Sequence, residues 1–272
     1  MSIPFDPGYA SEPFASLVTD YPGDDIYPQA DFRTEWGPVF HRGRLDGTAR
    51  VLVIGQDPAQ HEVIVRRILV GAAGKRVQGF LARVGIDRSY VCINAFLYSV
   101  YGQGGGNRNI DDTQIAGYRN RWIEAILDSS PIEAVVGFGG LAKLAWEAWL
   151  GSDAAQGRAQ VPFVAVTHPT WPESSGKTAA DRAAATRTML GNWSTAQREL
   201  AEYVQTPDRP GPLLPYGQVF AKTDLPDIPA IDLPAGTPVW MQNTNAWASR
   251  KGTTAKEKRR TIVVKVPSLV IR

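Results

Sequence analysis

The chain has 272 residues, enough for one large domain or one domain with long extensions. Its 43% hydrophobic and 21% charged residues are ordinary globular usage, which excludes disorder over most of the length, and its single cysteine, Cys92, excludes a disulfide framework and any four-cysteine zinc or iron–sulfur site. The net charge of +2 is too small to name a partner.

The opening Met1–Asp6 lacks the basic and apolar regions of a signal peptide. No apolar run approaches the ~20 residues that span a bilayer. The expectation is a cytoplasmic monomer without membrane contact. The first fifty residues are turn-rich, with Pro4, Pro7, Pro13, Pro22 and Pro28, and predominantly acidic from Asp6 to Glu35. They read as a segment wrapping the domain. From Arg50 onward elements alternate. Val51–Ile54 is a short continuous apolar run, as in a parallel strand buried on both faces, and 91–93, 134–136 and Phe163–Val166 repeat the pattern. Between them, Lys75 to Val84, Asp112 to Leu127, Leu141 to Trp149 and Thr178 to Tyr203 carry helical spacing or helix-forming composition. Strand–helix alternation predicts a three-layer α/β/α fold around a mostly parallel, four-stranded sheet.

The domain proper is expected over 1–206, its motifs over 51–172. A proline-rich extension follows over 207–272, lying across the core or leading to a short β-rich end near Thr261–Val266. Its end is strongly basic, from Arg250 to Arg272. Charge alone reads this as a solvated tail, with collection of DNA through its phosphates as the alternative.

Ligands of an open parallel sheet bind beyond the carboxyl ends of its strands. Those ends carry Gly55-Gln56-Asp57-Pro58-Ala59, Asn94-Ala95, Gly137-Phe138-Gly139-Gly140 and Thr167-His168-Pro169-Thr170-Trp171. Singly, each has an ordinary explanation: an Asp-Pro turn, a satisfied buried amide, a tight glycine turn, a loop histidine. Together they set a carboxylate, an amide, exposed backbone amides and an imidazole on one rim, which a purely structural sheet does not need.

These residues resemble the uracil-DNA glycosylase superfamily. Gly55-Gln56-Asp57-Pro58 resembles its water-activating motif, Ile93-Asn94-Ala95 the strand that reads the uracil edge, and Phe138-Gly139-Gly140 its phosphate-gripping turn. His168-Pro169-Thr170 is similar to the histidine motif that carries the intercalating loop. Arg67 to Gly74 is similar to a stretch of the iron–sulfur branch, whose cluster one cysteine cannot hold.

The resemblance implies a base-flipping, monofunctional enzyme that removes uracil from single- and double-stranded DNA and leaves an abasic site, with no cofactor and no metal. It assigns Asp57 to orient water and stabilise an oxocarbenium-like sugar. It assigns His168 to hydrogen-bond uracil O2 as a neutral imidazole, helped by the Gln56 amide. Asn94 would tell uracil from cytosine, with Pro58, Ala59 and Leu69 lining the base site. Gly139, Gly140, Pro169, Thr170 and Trp171 would meet the DNA, Trp171 as the wedge that fills the vacated stack.

Three positions depart from the family pattern. Ala59 stands where a tyrosine excludes the thymine methyl, and Leu69 where a phenylalanine stacks on uracil, with Phe80 as a substitute ring unless its helical spacing buries it. The loop after His168 continues Trp171-Pro172-Glu173. His41 and His61 read as surface or loop residues. Two alternatives stay open: a glycosylase also attacking hypoxanthine, xanthine or mismatched thymine, and a uracil-DNA binder without turnover. A nucleotide-binding domain or a small-molecule hydrolase is disfavoured: strand one lacks Gly-x-Gly-x-x-Gly, and neither a phosphate-binding Gly-x-x-x-x-Gly-Lys-Ser/Thr loop nor a Gly-x-Ser-x-Gly elbow occurs.

Overall fold

Every residue of Val51–Gly55 (β2) and Ala134–Phe138 (β4) is buried, as a strand covered on both faces requires. In the computed structural model, which describes residues 8–101 and 104–268, they form the centre of a five-stranded sheet in the order β1 (Arg42–Gly43), β3 (Tyr90–Asn94), β2, β4, β5 (Phe163–Val166). Strands β3 and β5 complete the parallel set. The fifth strand, β1, adds an antiparallel edge on β3 that no apolar run announces, because it is two residues long and polar. Pro4, Asp6, Pro7 and Arg272 lie outside the described residues.

The helices are Phe14–Thr19 (α1), Gln60–Val65 (α2), Ala72–Arg83 (α3), Gly105–Asn109 (α4), Thr113–Ser129 (α5), Gly140–Leu150 (α6), Trp171–Ser175 (α7), Ala179–Tyr203 (α8), Val239–Asn243 (α9) and Ala255–Arg260 (α10). The longer ones start where local chemistry satisfies their free amides. Asp112 accepts hydrogen bonds from the Gln114 and Ile115 amides at the head of α5, and Thr178 and Asp181 cap each other's amides at the head of α8.

Alternation along β2 divides the interior. Val51 and Val53 face a core shared with Phe80 of α3 and Trp193 of α8, while Leu52 and Ile54 face one shared with Trp122 of α5 and Trp146 of α6. These are the three layers expected.

The stretch after Thr206 is stapled to the core. Asp232, almost wholly buried, pairs with Arg42 at 3.0 Å and also with Arg44 and the Tyr90 hydroxyl, while Arg42 donates to Gln78 Oε1 at 3.0 Å. Asp224, likewise buried, takes the Arg83 guanidinium at 2.6 Å. The basic end is folded too: Ala248–Arg250 (β6) and Ile262–Val264 (β7) pair antiparallel, with α10 between them. The expectation of a solvated tail is corrected for 248–264, because Trp247 and Ala248 bury themselves with Val65, Val70 and Leu233 in a third apolar cluster.

Both histidines read as surface residues are buried. His41, next to β1, is bonded by the Tyr9 hydroxyl at 2.7 Å, and His61 of α2 accepts the Ala248 amide at 3.2 Å beneath Trp247. Each is covered by a segment distant in sequence, which local reading cannot see.

Removing the Asp232 carboxylate leaves the buried Arg42 guanidinium uncompensated. An Asp232→Ala variant is expected to lose about 3–5 kcal/mol in urea unfolding. A loss below about 1 kcal/mol would mean that Arg42 is neutralised elsewhere.

Candidate active site

Strand β2 has β3 on one side and β4 on the other. The chain leaves β2 in one direction and returns to its far side, so a crevice opens beyond the carboxyl ends of β2 and β4. Gln56 and Asp57 leave β2 there and Gly139 leaves β4. Gly139 has φ of 98°, and a β-carbon on it would collide with the Gln56 amide and stand 3.1 Å from His168 Cδ2. Only glycine fits between these two side chains. Asn94, at the end of β3, lies over β2 so closely that a β-carbon on Gly55 would strike its Oδ1. The amides of Ala95 and Phe96 continue the pairing past the strands, each donating at 3.0 Å to the carbonyls of Gly55 and Gln56. The four strand ends therefore meet, as their sequence positions suggested.

Asp57 is half-buried and accepts the Val100 amide on Oδ2 at 2.9 Å. Burial pushes its carboxyl up to about 6, against the Val100 hydrogen bond and the charges of Arg33 and Arg250. Arg33 in turn holds the Val100 carbonyl and donates to Ser99 Oγ at 3.1 Å, so it fixes the segment that grips Asp57.

Glu62 holds the same loop from beneath. It is 5% exposed, and its two oxygens accept the amides of Ala59 and Leu69, the latter at 2.9 Å. Leu69 is held with φ at 55°, a conformation uncommon for a side-chain-bearing residue. Burial pushes Glu62 up to about 7, and the neighbouring Asp57 charge adds to that rise.

His168 presents one defined face. Its Nδ1 accepts the Thr170 amide at 3.3 Å and lies 3.1 Å from the Thr170 hydroxyl, which leaves the proton of a neutral ring on Nε2. Burial lowers its pKa to about 4, and the opposing influences of Glu173 and Arg76 are smaller. Arg76 of α3 also donates to the Pro169 carbonyl and pairs with Glu173 at 2.6 Å, clamping the loop that carries the imidazole.

The remaining predicted residues are placed less uniformly. Pro58 is buried, while Ala59 is exposed at the head of α2. Leu69 is 7% exposed and packs into the core beside α3 and α8. Phe80 is wholly buried edge-on to Phe138 and Trp193, as its helical spacing predicts. Gly139 spends its amide on the Val166 carbonyl, and Gly140 opens α6 with free space around its Cα. Trp171 is half-buried against the core at the first position of α7, and its amide donates to the His168 carbonyl at 3.0 Å. Among the described residues, no group of three or more His, Cys, Asp or Glu side chains is arranged to hold a metal ion.

Sequence reading missed Arg33, Glu62 and Arg76, and took Arg250 only as part of the basic end. Glu62 left one trace, a glutamate three residues after the turn that opens α2, the spacing at which a side chain reaches back to a helix's first amides. Arg33 and Arg76 left none, since each acts on a residue far away in the chain.

The family model described as the uracil DNA glycosylase superfamily matches residues 42–189, a span from β1 into α8 that includes Asp57, Asn94 and His168. No curated protein matches the chain.

The His168 geometry has a direct spectroscopic consequence. Nitrogen-15 NMR is expected to find the ring neutral, protonated on Nε2, and titrating near pH 4. A midpoint near 6.5, the ordinary histidine value, would show that the ring is solvated.

Proposed function

Since the chain belongs to the uracil DNA glycosylase superfamily, and so is a glycosidase-type hydrolase of DNA base-excision repair, we propose that its substrate is uracil in DNA and its product an abasic site. The observation that carries this reading is the meeting of Gln56 and His168 around Gly139 at the sheet's switch point, with Asp57 next in the chain after Gln56 and Asn94 against Gly55.

The target atom is inaccessible inside duplex DNA, so the nucleotide must leave the stack. In the cleft, the bond from C1′ to uracil N1 breaks with its electron pair leaving on the base. Negative charge spreads to O2, and the sugar becomes oxocarbenium-like. A neutral Nε2–H on His168 suits that oxygen, because it is a fixed donor aimed where negative charge grows. The Gln56 backbone amide is the second donor proposed for O2. Ionised Asp57 stabilises the sugar cation and orients the water that adds at C1′, whose proton is released as the abasic hydroxyl forms. Asn94 pairs with uracil N3–H and O4. Cytosine would leave that amide facing the wrong groups, a penalty of about 1–3 kcal/mol. Pro58 and Leu69 back the base site. Gly140, Pro169 and Thr170 meet the phosphates and loop side of the strand, and the Trp171 ring enters the vacated stack.

A second reading within the family rests on Ala59. Its small, exposed side chain leaves room for a 5-methyl group where an aromatic ring would deny it. This favours additional action on mismatched thymine or on hypoxanthine and xanthine.

Labelled oligonucleotides bearing one uracil are expected to gain alkali-cleavable sites, and Asp57→Asn to slow single-turnover excision by roughly 10²–10⁴-fold. Uracil left intact but tightly held would overturn the reading in favour of a binder. Thymine, hypoxanthine and xanthine substrates measure the width of the pocket. The pH profile has a fixed sign. Protonation of Asp57 removes the charge that the sugar cation needs, so kcat/KM should fall tenfold per unit as pH drops below about 6. His168, titrating near 4, stays neutral throughout that fall.

A further inference from the structure

Beside Asp57 lies a second concavity, of about 570 Å³, lined by Arg33, Gln60, Tyr101, Ser249, Arg250 and Lys258. It joins the catalytic body to the C-terminal hairpin. No carboxylate lines it, and three of its side chains are cationic. Asp57 lies beside the cavity without a salt bridge to its cations, and the other nearby acids are occupied elsewhere. Glu35 is taken by Arg259 at 2.5 Å, and Glu257 folds back onto the amides of Thr253 and Thr254 at 2.7 and 3.0 Å. Among the described residues, neither Arg250 nor Lys258 has an ion-pair partner.

Arg33 gives the cavity its character. It is only 5% exposed, and its Nε has no hydrogen-bond partner. A buried donor without an acceptor is costly unless something brings one. Its guanidinium lies 4.8 Å from the Trp36 ring and 5.0 Å from the Tyr101 ring, and Arg259 covers Tyr101 at 4.5 Å. The aromatic ring is thus held between two cations and is not free to stack a base. What the cavity lacks is an anion.

The hairpin that completes it is anchored on both sides. Gln60 donates to the Ala248 carbonyl at 3.4 Å and the Ala248 amide to His61 at 3.2 Å. Across the cleft, Trp36 Nε1 donates to the Arg259 carbonyl at 2.8 Å and Arg259 to the Phe32 carbonyl at 2.8 Å. The basic groups are therefore held in place before any ligand arrives, which lowers the ordering cost of binding one.

We propose that Arg33, Arg250 and Lys258 form a phosphate cradle for the DNA backbone next to the extruded nucleotide, so that the C-terminal hairpin is the outer wall of the DNA-binding cleft. The inference rests on DNA being the substrate and adds the element that grips it. Arg33 and Arg250 are also the two cations whose charge acts on Asp57, which places the cradle within electrostatic reach of the reacting sugar. A phosphate bound there would offset the mutual repulsion of the arginines.

The test uses the full chain and a uracil-free duplex, with affinity measured by fluorescence anisotropy between 50 and 200 mM salt. A parallel single-turnover assay uses saturating uracil-containing duplex. The Arg250→Ala/Lys258→Ala double variant is expected to bind about tenfold or more weakly. Its salt slope should flatten by roughly 2 log units per log unit of salt, the effect of two lost phosphate contacts. Because Arg250 also acts on Asp57, excision is compared well above the pH at which Asp57 titrates, so that a lost rate there is read separately from lost affinity. Arg88→Ala/Arg209→Ala removes equal charge near the amino end of β3, away from the strand ends that carry Asp57, where both side chains are exposed, and is expected to leave the slope unchanged. Equal flattening in both double variants would overturn the cradle, reducing it to net charge. An unchanged slope in the hairpin variant, with excision intact, would overturn it while leaving the glycosylase reading standing. A flattened slope in a protein that excises nothing would sustain the cradle and overturn the glycosylase reading.

Discussion

A strand buried on both faces can carry polar side chains only past its end. Strands β2 and β4 have no exposed residue, so every group able to do chemistry near them is forced into the turns that follow. The reversal of strand order at β2 then brings those turns together rather than spreading them along the sheet. Asp57, Asn94, Gly139 and His168 all follow or end strands on the same side of the sheet because the hydrophobic interior leaves no place for them within it. The same burial tunes them. It raises a carboxyl towards neutrality and lowers an imidazole away from charge, and both shifts follow from loss of water more than from any single partner.

Supports for these groups come from positions with no reason to be near them in sequence. Glu62 ties the Asp57 loop to the turn at Leu69, Arg76 clamps the His168 loop from α3, and Arg33 fixes the segment around Val100. Each support is a charged group satisfying backbone atoms, the type of contact that sets geometry more firmly than apolar packing does. The buried Arg42–Asp232 pair works similarly at larger scale, seating the proline-rich stretch against the sheet edge.

Much of this was legible in advance, for a physical reason. Strand identity follows from continuous apolar runs, helix identity from spacing, and the site from the residues directly after each strand, all of which are local properties of sequence. The two-residue strand β1 carries no such signal and was invisible. The burial of His41 and His61 depends on Tyr9 and Trp247, the second 186 residues away from His61 along the chain. The basic end misled for a related reason: its charges describe the surface it shows to water, whereas Trp247 and Ala248 decide where it sits. Arginine is the recurring blind spot, since its long side chain acts at a distance from the backbone position that sequence reports.

The hydrogen bond from Trp36 to the Arg259 carbonyl joins residues 223 apart. A ribosome delivers chains from the amino end, so the sheet, the carboxylate and the imidazole all emerge before the hairpin does. Closure of that contact has to wait until nearly all of the described fold has been synthesised. Asp57 and His168 thus leave the ribosome well before Arg259, whose carbonyl the Trp36 hydrogen bond needs.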